Sequence, residues 1–525
     1  MRKCIFFILV LSVCLASCNQ DNMNDLFESN NEFKGNNEML PEKISLLDEV
    51  YLKEPDAYFL RPFAKAFYNA MEESPVLREM IKTKALERFN KEYDVLYQFI
   101  KDEPVENGLT VRKLLLKHFE SAEKLAAIEA KHPTLTIFVP QLPEDCFSAE
   151  NWNTAEQIPA VAIHSTKQRH TCVISKYGFF DENSDEFVVE SGFVPAFPVV
   201  VLKDNSRVVV SQNQRSQYES LNNKNSDYVF DFTNEFFDRS KEEEEASSLR
   251  SSIYMGNFDP ELVDAYEIYK NVDGWHRDYV YYGIKPATPN GPLNRNFQET
   301  IIGFHFSTNV TPEQMLWWLT DPATNSGGPT LLPVVIGSTA DPWTEGQWAF
   351  SVAVQTGSKL TTATITKTIL AYPKELFSVT YKLIAGSFYK PQVDGFIVKN
   401  LNLNLMCWDL ENYAAEIKIT IEKVNPSTTI SSTISSTSES AGNVSMDFKS
   451  GLKFGTSAKK TWTTAYTIQT QVGNKNMGDV LVHFGDKVIL NKVFNPPLPG
   501  ISPIWELRNY DSGLYSIMLA PRKVQ

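Results

Sequence analysis

The hydrophobic spacing of this 525-residue chain changes period at Pro133, and that change limits the folds open to it. Before it, Phe59, Phe63, Ala66, Phe67 and Ala70 recur at three- and four-residue steps, and Leu77, Met80, Ile81, Ala85 and Phe89 repeat the pattern after Pro75. Such spacing lines one face of an α-helix. Tyr93, Leu96, Tyr97 and Ile100 predict a short third helix, and Leu109 to Lys131 a fourth, entered after Gly108. Beyond Pro133 the runs become short, β-branched and bounded by polar turns: Thr134 to Val139, Ala160 to His164, Cys172 to Ser175, Val199 to Leu202 and Arg207 to Val210. The last two are joined through Lys203-Asp204-Asn205-Ser206 and predict a hairpin. Pro260 opens a further helix through Tyr269, and from Asn296 onward strand follows strand with no helical pattern between. The expected fold class is α+β: an N-terminal helical bundle followed by antiparallel β domains, with a sandwich-like C-terminal region.

The first eighteen residues predict a location. Arg2 and Lys3 precede an apolar run, Ile5 to Leu15, that is too short to cross a bilayer as a helix, which takes about 20 residues. A basic start and a short apolar run are the layout of a secretory signal. Leu15-Ala16-Ser17-Cys18 resembles the lipobox of bacterial lipoproteins, whose cysteine is diacylated and becomes residue one. The resemblance implies lipidation at Cys18 and cleavage after residue 17, and Asn19 favours the outer membrane. Two acyl chains hold firmly where one does not. Residues 18–54 then read as a polar tether, rich in Asn, Glu and Asp. Successive divisions are expected at 55–132 (helical), 133–215 (small β), 216–295 (mixed, connecting) and 296–525 (sandwich-like). With the lipobox, tether, helical front and β-rich back, the chain resembles multidomain lipoproteins of Bacteroidetes-type bacteria.

Charge excludes one class of partner. Losing the two positive charges of Arg2 and Lys3 shifts the formal net charge from −14 to −16. A chain this acidic, with no basic cluster, repels phosphate backbones, so nucleic acid is not an expected partner. The expected partners are the membrane, through the lipid, and a ligand or protein of unspecified identity. Beyond Cys18 only Cys146, Cys172 and Cys407 remain; an exported chain could pair two, such as Cys146 with Cys172.

Chemistry is less legible. Asp181, Asn183 and Asp185 alternate as oxygen ligands do in calcium loops, but Glu186 stands where such a loop wants Gly. Calcium is the one cofactor the sequence suggests, and an exposed turn explains the same residues. The histidines, His118, His132, His164, His170, His276, His305 and His483, form no HExxH pair, and no GxSxG elbow or phosphate cradle occurs. A metal-dependent hydrolase would need a site assembled from scattered histidines. Trp275, Tyr279 and Tyr281 alternate around Arg277 and predict one strand face, which could either bind a ligand or fill the core.

In Ser427 to Ser440, eleven of fourteen residues are Ser or Thr, and apolar-polar alternation continues to Val472. This stretch loosely resembles the insertion hairpin of aerolysin-like pore-forming toxins, whose barrel strands need one lipid-facing and one wet side. An edge hairpin of a soluble sandwich has the same alternation. The reading expected from sequence is thus a lipid-anchored, non-enzymatic envelope protein that binds a ligand or partner, with pore former and hydrolase as alternatives.

Overall fold

The computed structural model describes residues 55–524, except 107, 165–169, 177–184, 191, 214, 223–225, 242–257, 271–275, 286, 289, 321–341, 359–361, 385, 425–432, 438–451, 454–466, 472–473 and 495–503. Helix α1 (Pro55–Glu73) buries Phe63, Ala66, Phe67 and Ala70, the face expected from their spacing. Helix α2 (Pro75–Glu87) starts where Ser74 accepts a hydrogen bond from the Leu77 amide at 3.2 Å, with Pro75 in the first turn. The chain then forms strand β1 (Asp94–Leu96) and helix α3 (Tyr97–Ile100), so the predicted third helix is only half helical. The predicted fourth helix is two: α4 (Val111–Leu116) and α5 (Ala122–Lys131). Thr110 and Ser121 each accept from an amide three residues on, and the second cap starts a new helix mid-segment.

Strands β2 (Leu135–Phe138), β3 (Ala160–Ile163), β4 (His170–Ile174), β5 (Glu186–Glu190), β6 (Val194–Pro195) and β7 (Val199–Asp204) follow. Six strands make one sheet in the order β1-β2-β7-β3-β4-β5, antiparallel except where β3 runs parallel to β7. Phe63, Phe67, Leu77 and Ile81 from the helices share a core with Ile137, Val161 and Val201 from this sheet. Pro133 therefore marks a change of element within one core.

The hairpin predicted over 199–210 does not form. Strand β8 (Val208–Val210) turns away to pair with β9 (Phe230–Phe232). Asn205, at the expected tip, is buried instead: its amide donates to Asp94 Oδ2 at 3.2 Å and Thr136 Oγ1 at 3.1 Å. A turn residue tied to two other strands cannot close a simple hairpin.

Helices α6 (Pro260–Tyr269) and α7 (His276–Tyr282) lead to β10 (Asn290–Gly291), β11 (Phe297–Phe306), α8 (Pro312–Thr320) and α9 (Pro342–Glu345). Next come β12 (Trp348–Ser358), β13 (Thr362–Ala371), β14 (Phe377–Ile384), β15 (Phe388–Phe396), β16 (Lys399–Met406) and β17 (Tyr413–Lys423). Strands β18 (Thr433–Thr437), β19 (Leu452–Lys453), β20 (Thr467–Gln471) and β21 (Lys475–His483) precede β22 (Ile489–Phe494), β23 (Ile504–Leu507), β24 (Asn509–Asp511) and β25 (Tyr515–Lys523).

Two four-stranded antiparallel sheets, β16-β11-β25-β24 and β13-β12-β17-β21, share the second core, as the sandwich-like expectation requires. Phe304 of one sheet lies 5.5 Å from Phe350 of the other, and the Tyr515 hydroxyl reaches across to the Ile419 carbonyl at 3.0 Å. Strands β14 and β15 form an arm between the cores. Phe377 at its base belongs to the second core, while Phe388 near its tip packs in the first and pairs with Pro195. Among the described residues, no helix is long and apolar enough to cross a membrane.

Candidate functional site

The seam between the two cores gathers charged residues that water cannot reach. Glu92, just before β1, accepts from the Tyr93 amide at 3.1 Å and the Tyr372 hydroxyl at 2.9 Å through Oε1. Its Oε2 accepts from the Gln347 amide at 2.7 Å and faces Arg207 Nη2 at 3.6 Å. Arg207 also donates to the Asn90 and Gln347 carbonyls, at 2.8 and 3.3 Å. Beside this group, Lys203 lies 3.3 Å from Asp94, donates to the Glu345 carbonyl at 3.2 Å and sits over the Phe138 ring. Buried charges persist only when paired and hydrogen-bonded, and these are both. Burial and then the Glu92 charge raise the Tyr372 hydroxyl well above its ordinary pKa, so it stays a donor. Alongside, His164 meets the Thr344 hydroxyl at 2.9 Å, and burial lowers the imidazole pKa. The clamp locks residues 344–347 and 372 onto the first core.

The seam's outer rim is different. Tyr93 donates to Glu150 and accepts from Gln141 at 3.1 Å, and Lys374 donates to Gln141 Oε1 at 3.0 Å. Burial, then the hydrogen bond to Glu150, pushes the Tyr93 hydroxyl up to about 12. Above them Tyr381 and Tyr389 of the arm meet edge to face, ring centres 6.1 Å apart, both half-buried. Cys146, like both tyrosines, packs against the first core, and the loop before it carries Glu144 and Asp145, two consecutive non-glycine residues at φ 53° and 52°. A left-handed φ on a residue with a β-carbon costs roughly 1 kcal/mol or more, and such outliers gather at binding sites.

A second buried network lies inside the sandwich half. Arg277 forks onto Glu299, with its shortest contact at 2.6 Å and both side chains sealed from solvent. It also donates to the Asp486 carbonyl at 3.0 Å, and Asp486 in turn accepts from the Tyr510 hydroxyl at 3.0 Å. The segment predicted as a strand bearing Trp275, Tyr279 and Tyr281 is corrected here. Residues 276–282 are helix α7, and the ~100° turn per residue puts Tyr279 and Tyr281 on different faces. Tyr281 is fully buried with its hydroxyl 3.4 Å from Glu299, Tyr279 is half-exposed, and Trp275 lies outside the described residues.

Other predicted positions disperse. Asp185 is an exposed residue whose carbonyl accepts from the Ser175 amide at 2.8 Å; Asp181, Asn183 and Cys18 lie outside the described residues. His118 pairs with Glu73, His132 with Asp204 and His483 with Glu416, while the His276 ring accepts from the Val488 amide. Among the described residues, no group of three or more His, Cys, Asp or Glu side chains could hold a metal ion. Cys146, Cys172 and Cys407 are free thiols, so the pairing of Cys146 with Cys172 does not form. Sequence reasoning missed Glu92 and Glu299. The one signal available was an acid set among residues expected to be buried. No protein family, curated protein or solved structure matches the chain.

Proposed function

We propose that the chain is a lipid-anchored protein of the bacterial cell envelope that binds a ligand or partner at the rim of the seam. The contrast within the seam carries this reading. Below, Glu92, Arg207, Lys203 and Asp94 are consumed in holding the halves together. At the rim, Glu144 and the hydroxyls of Tyr381 and Tyr389 have no hydrogen bond or ion pair among the described residues. A rigid scaffold presenting a few uncommitted polar and aromatic groups is the arrangement that binding sites use. The lipobox ending in Cys18 and the polar run to residue 54 support the anchored part. Replacing Cys18 by Ser should abolish acylation and release the protein from membranes; retention like that of the unaltered chain overturns the anchor. Hydrolysis of a peptide or glycan by the purified protein overturns the binding role.

A second reading, a β-pore former, is favoured by one observation. β18 and β20 pair with each other over Thr433↔Gln471 to Thr437↔Thr467, and with no other described strand. In sequence β18 follows β17 and β20 precedes β21, and β17 and β21 pair as far as Lys423↔Lys475. A two-stranded antiparallel ribbon with an alternating sequence is what a barrel hairpin needs. Dye release from liposomes that vanishes on deleting residues 427–472 supports this reading; intact liposomes at high dose dismiss it.

A further inference from the structure

The β18–β20 ribbon is paired in a different register from the strands that flank it in sequence. β17 and β21 end their pairing at Lys423↔Lys475, and the ribbon holds Thr433 opposite Gln471. Nine residues lie between Lys423 and Thr433 but three between Gln471 and Lys475, so the ribbon is six residues out of step. Its root is fixed. The Lys423 and Lys475 side chains are buried and donate to the Leu319 and Trp318 carbonyls at the end of α8, the first at 2.8 Å. The middle of the same segment is held as well, since β19 pairs with β10 through Asn290↔Lys453 and Gly291↔Leu452.

Continuing the root register would give a different hairpin. It sets Ile430 opposite Ile468, Val444 opposite Phe454 and Met446 opposite Leu452, with the tip at Lys449. Cross-strand apolar pairs of this kind stabilise a hairpin. The ribbon register opposes Ile434 to Thr470 and Ile468 to Ser436. From 424 to 474 every Val, Ile, Leu, Met, Phe, Trp and Tyr has an even number, and of the charged residues only Lys460 does. Strand faces alternate, and a slip by an even count keeps each residue on its face, so the continued hairpin has one apolar side and one wet one. Pro426 does not block it. The Val424 amide donates to the Ala349 carbonyl of β12 at 2.8 Å, on the side away from β21, and in an extended strand the Pro426 nitrogen points the same way.

We propose that at a phospholipid bilayer residues 424–474 leave β10 and re-pair in the register set by Lys423↔Lys475, forming one hairpin whose even-numbered face lies in the lipid. This rests on reading the chain as a β-pore former, and names the conformational step and the residues that meet the membrane. Each limb, 424–447 and 451–474, is longer than the about ten residues that cross hydrocarbon as a tilted strand. The locked root makes the ribbon, not the sheet, the part that moves.

The test uses the full chain with two cysteine pairs in turn, mild oxidation, and dye-loaded liposomes of phosphatidylethanolamine and phosphatidylglycerol. Thr433→Cys with Gln471→Cys stand opposite each other in the ribbon, and Thr433→Cys with Ala465→Cys in the proposed hairpin. Six residues along a strand span roughly 20 Å, far beyond disulfide reach, so each pair reports one register. Mass spectrometry of the linked peptides reads the cross-links. The first pair should cross-link in buffer, and that bond should abolish dye release until it is reduced. The second should cross-link about tenfold or more on liposomes than in buffer, and its bond should leave release intact. Recovery of release on reduction shows that the variants fold. Dye release with no gain of the second cross-link on liposomes overturns the proposal and leaves the pore reading standing. Release by the first pair while cross-linked overturns it likewise. No release by the unaltered chain dismisses the pore reading, and the proposal falls with it.

Discussion

Gly346 passes so close to Glu92 that a β-carbon on it would stand 2.6 Å from the carboxylate oxygen Oε2. The glycine also has φ +85°, a conformation that L side chains rarely adopt. Glu92 cannot step aside, because Tyr372, Gln347 and Tyr93 hold it from three directions. Gly346→Ala should therefore cost on the order of 2–4 kcal/mol, combining backbone strain with displacement of a buried charge. Urea denaturation measures it, and a loss below about 0.5 kcal/mol would mean the clamp is softer than its geometry.

The Arg277–Glu299 pair makes a sharper case, because neither partner touches water. Among the described residues, Arg277→Met leaves the Glu299 side chain with only the long hydrogen bond from the Tyr281 hydroxyl, 3.4 Å, and should destabilise by about 3–5 kcal/mol. Adding Glu299→Gln removes the stranded charge and should recover part of that loss. A double variant less stable than the single one would refute the electrostatic account.

Acid should act through His276. Its ring is sealed from solvent, and Nδ1 accepts from the Val488 and Ile489 amides at 3.2 and 3.4 Å. Burial, then the neighbouring Arg277 charge, lowers its pKa to about 4 from an ordinary 6.5. The folded value lies below the unfolded one, so the contribution is intact above pH ~6.5 and lost as pH falls toward about 4. The slope is at most about 1.4 kcal/mol per pH unit. Comparing His276→Gln with the unaltered chain across this window isolates it. Parallel stability curves would exclude the mechanism.

Gln98 is a buried amide that no described residue satisfies. Its side chain is 1% exposed, and neither Oε1 nor Nε2 has a hydrogen-bond partner among the described residues. Gln98→Met keeps the length and drops the desolvated amide, so stability should rise by about 1 kcal/mol. A lower Tm in the variant would reveal a bond to the amide that this geometry lacks.

Local pattern carried the helical front and most strands, because apolar spacing reports directly on which face is buried. It failed where distant residues decide. Asn205 looked like a hairpin tip, and Asp94 and Thr136, far back in the chain, make it a core residue. In α7 the sequence His-Arg-Asp-Tyr-Val-Tyr-Tyr is aromatic and β-branched, which reads as strand by propensity. Arg277 and Tyr281, four apart, share a face in either a helix or a strand, so spacing could not choose. Their common partner Glu299 on β11 is consistent with both. The seam was illegible for the same reason: Glu92 meets Gln347 and Tyr372 across 255 and 280 residues. No local rule anticipates such a meeting.

The arm orders events during synthesis. Phe388 packs among residues of the first core, and the Ala196 amide donates to the Ser387 carbonyl at 3.0 Å. The first core thus stays unfinished until residue 388 has been made, long after its own last strand has emerged. A fragment ending anywhere before the arm leaves Phe197 without the ring it meets at 5.7 Å. The two halves keep separate cores but reach maturity together.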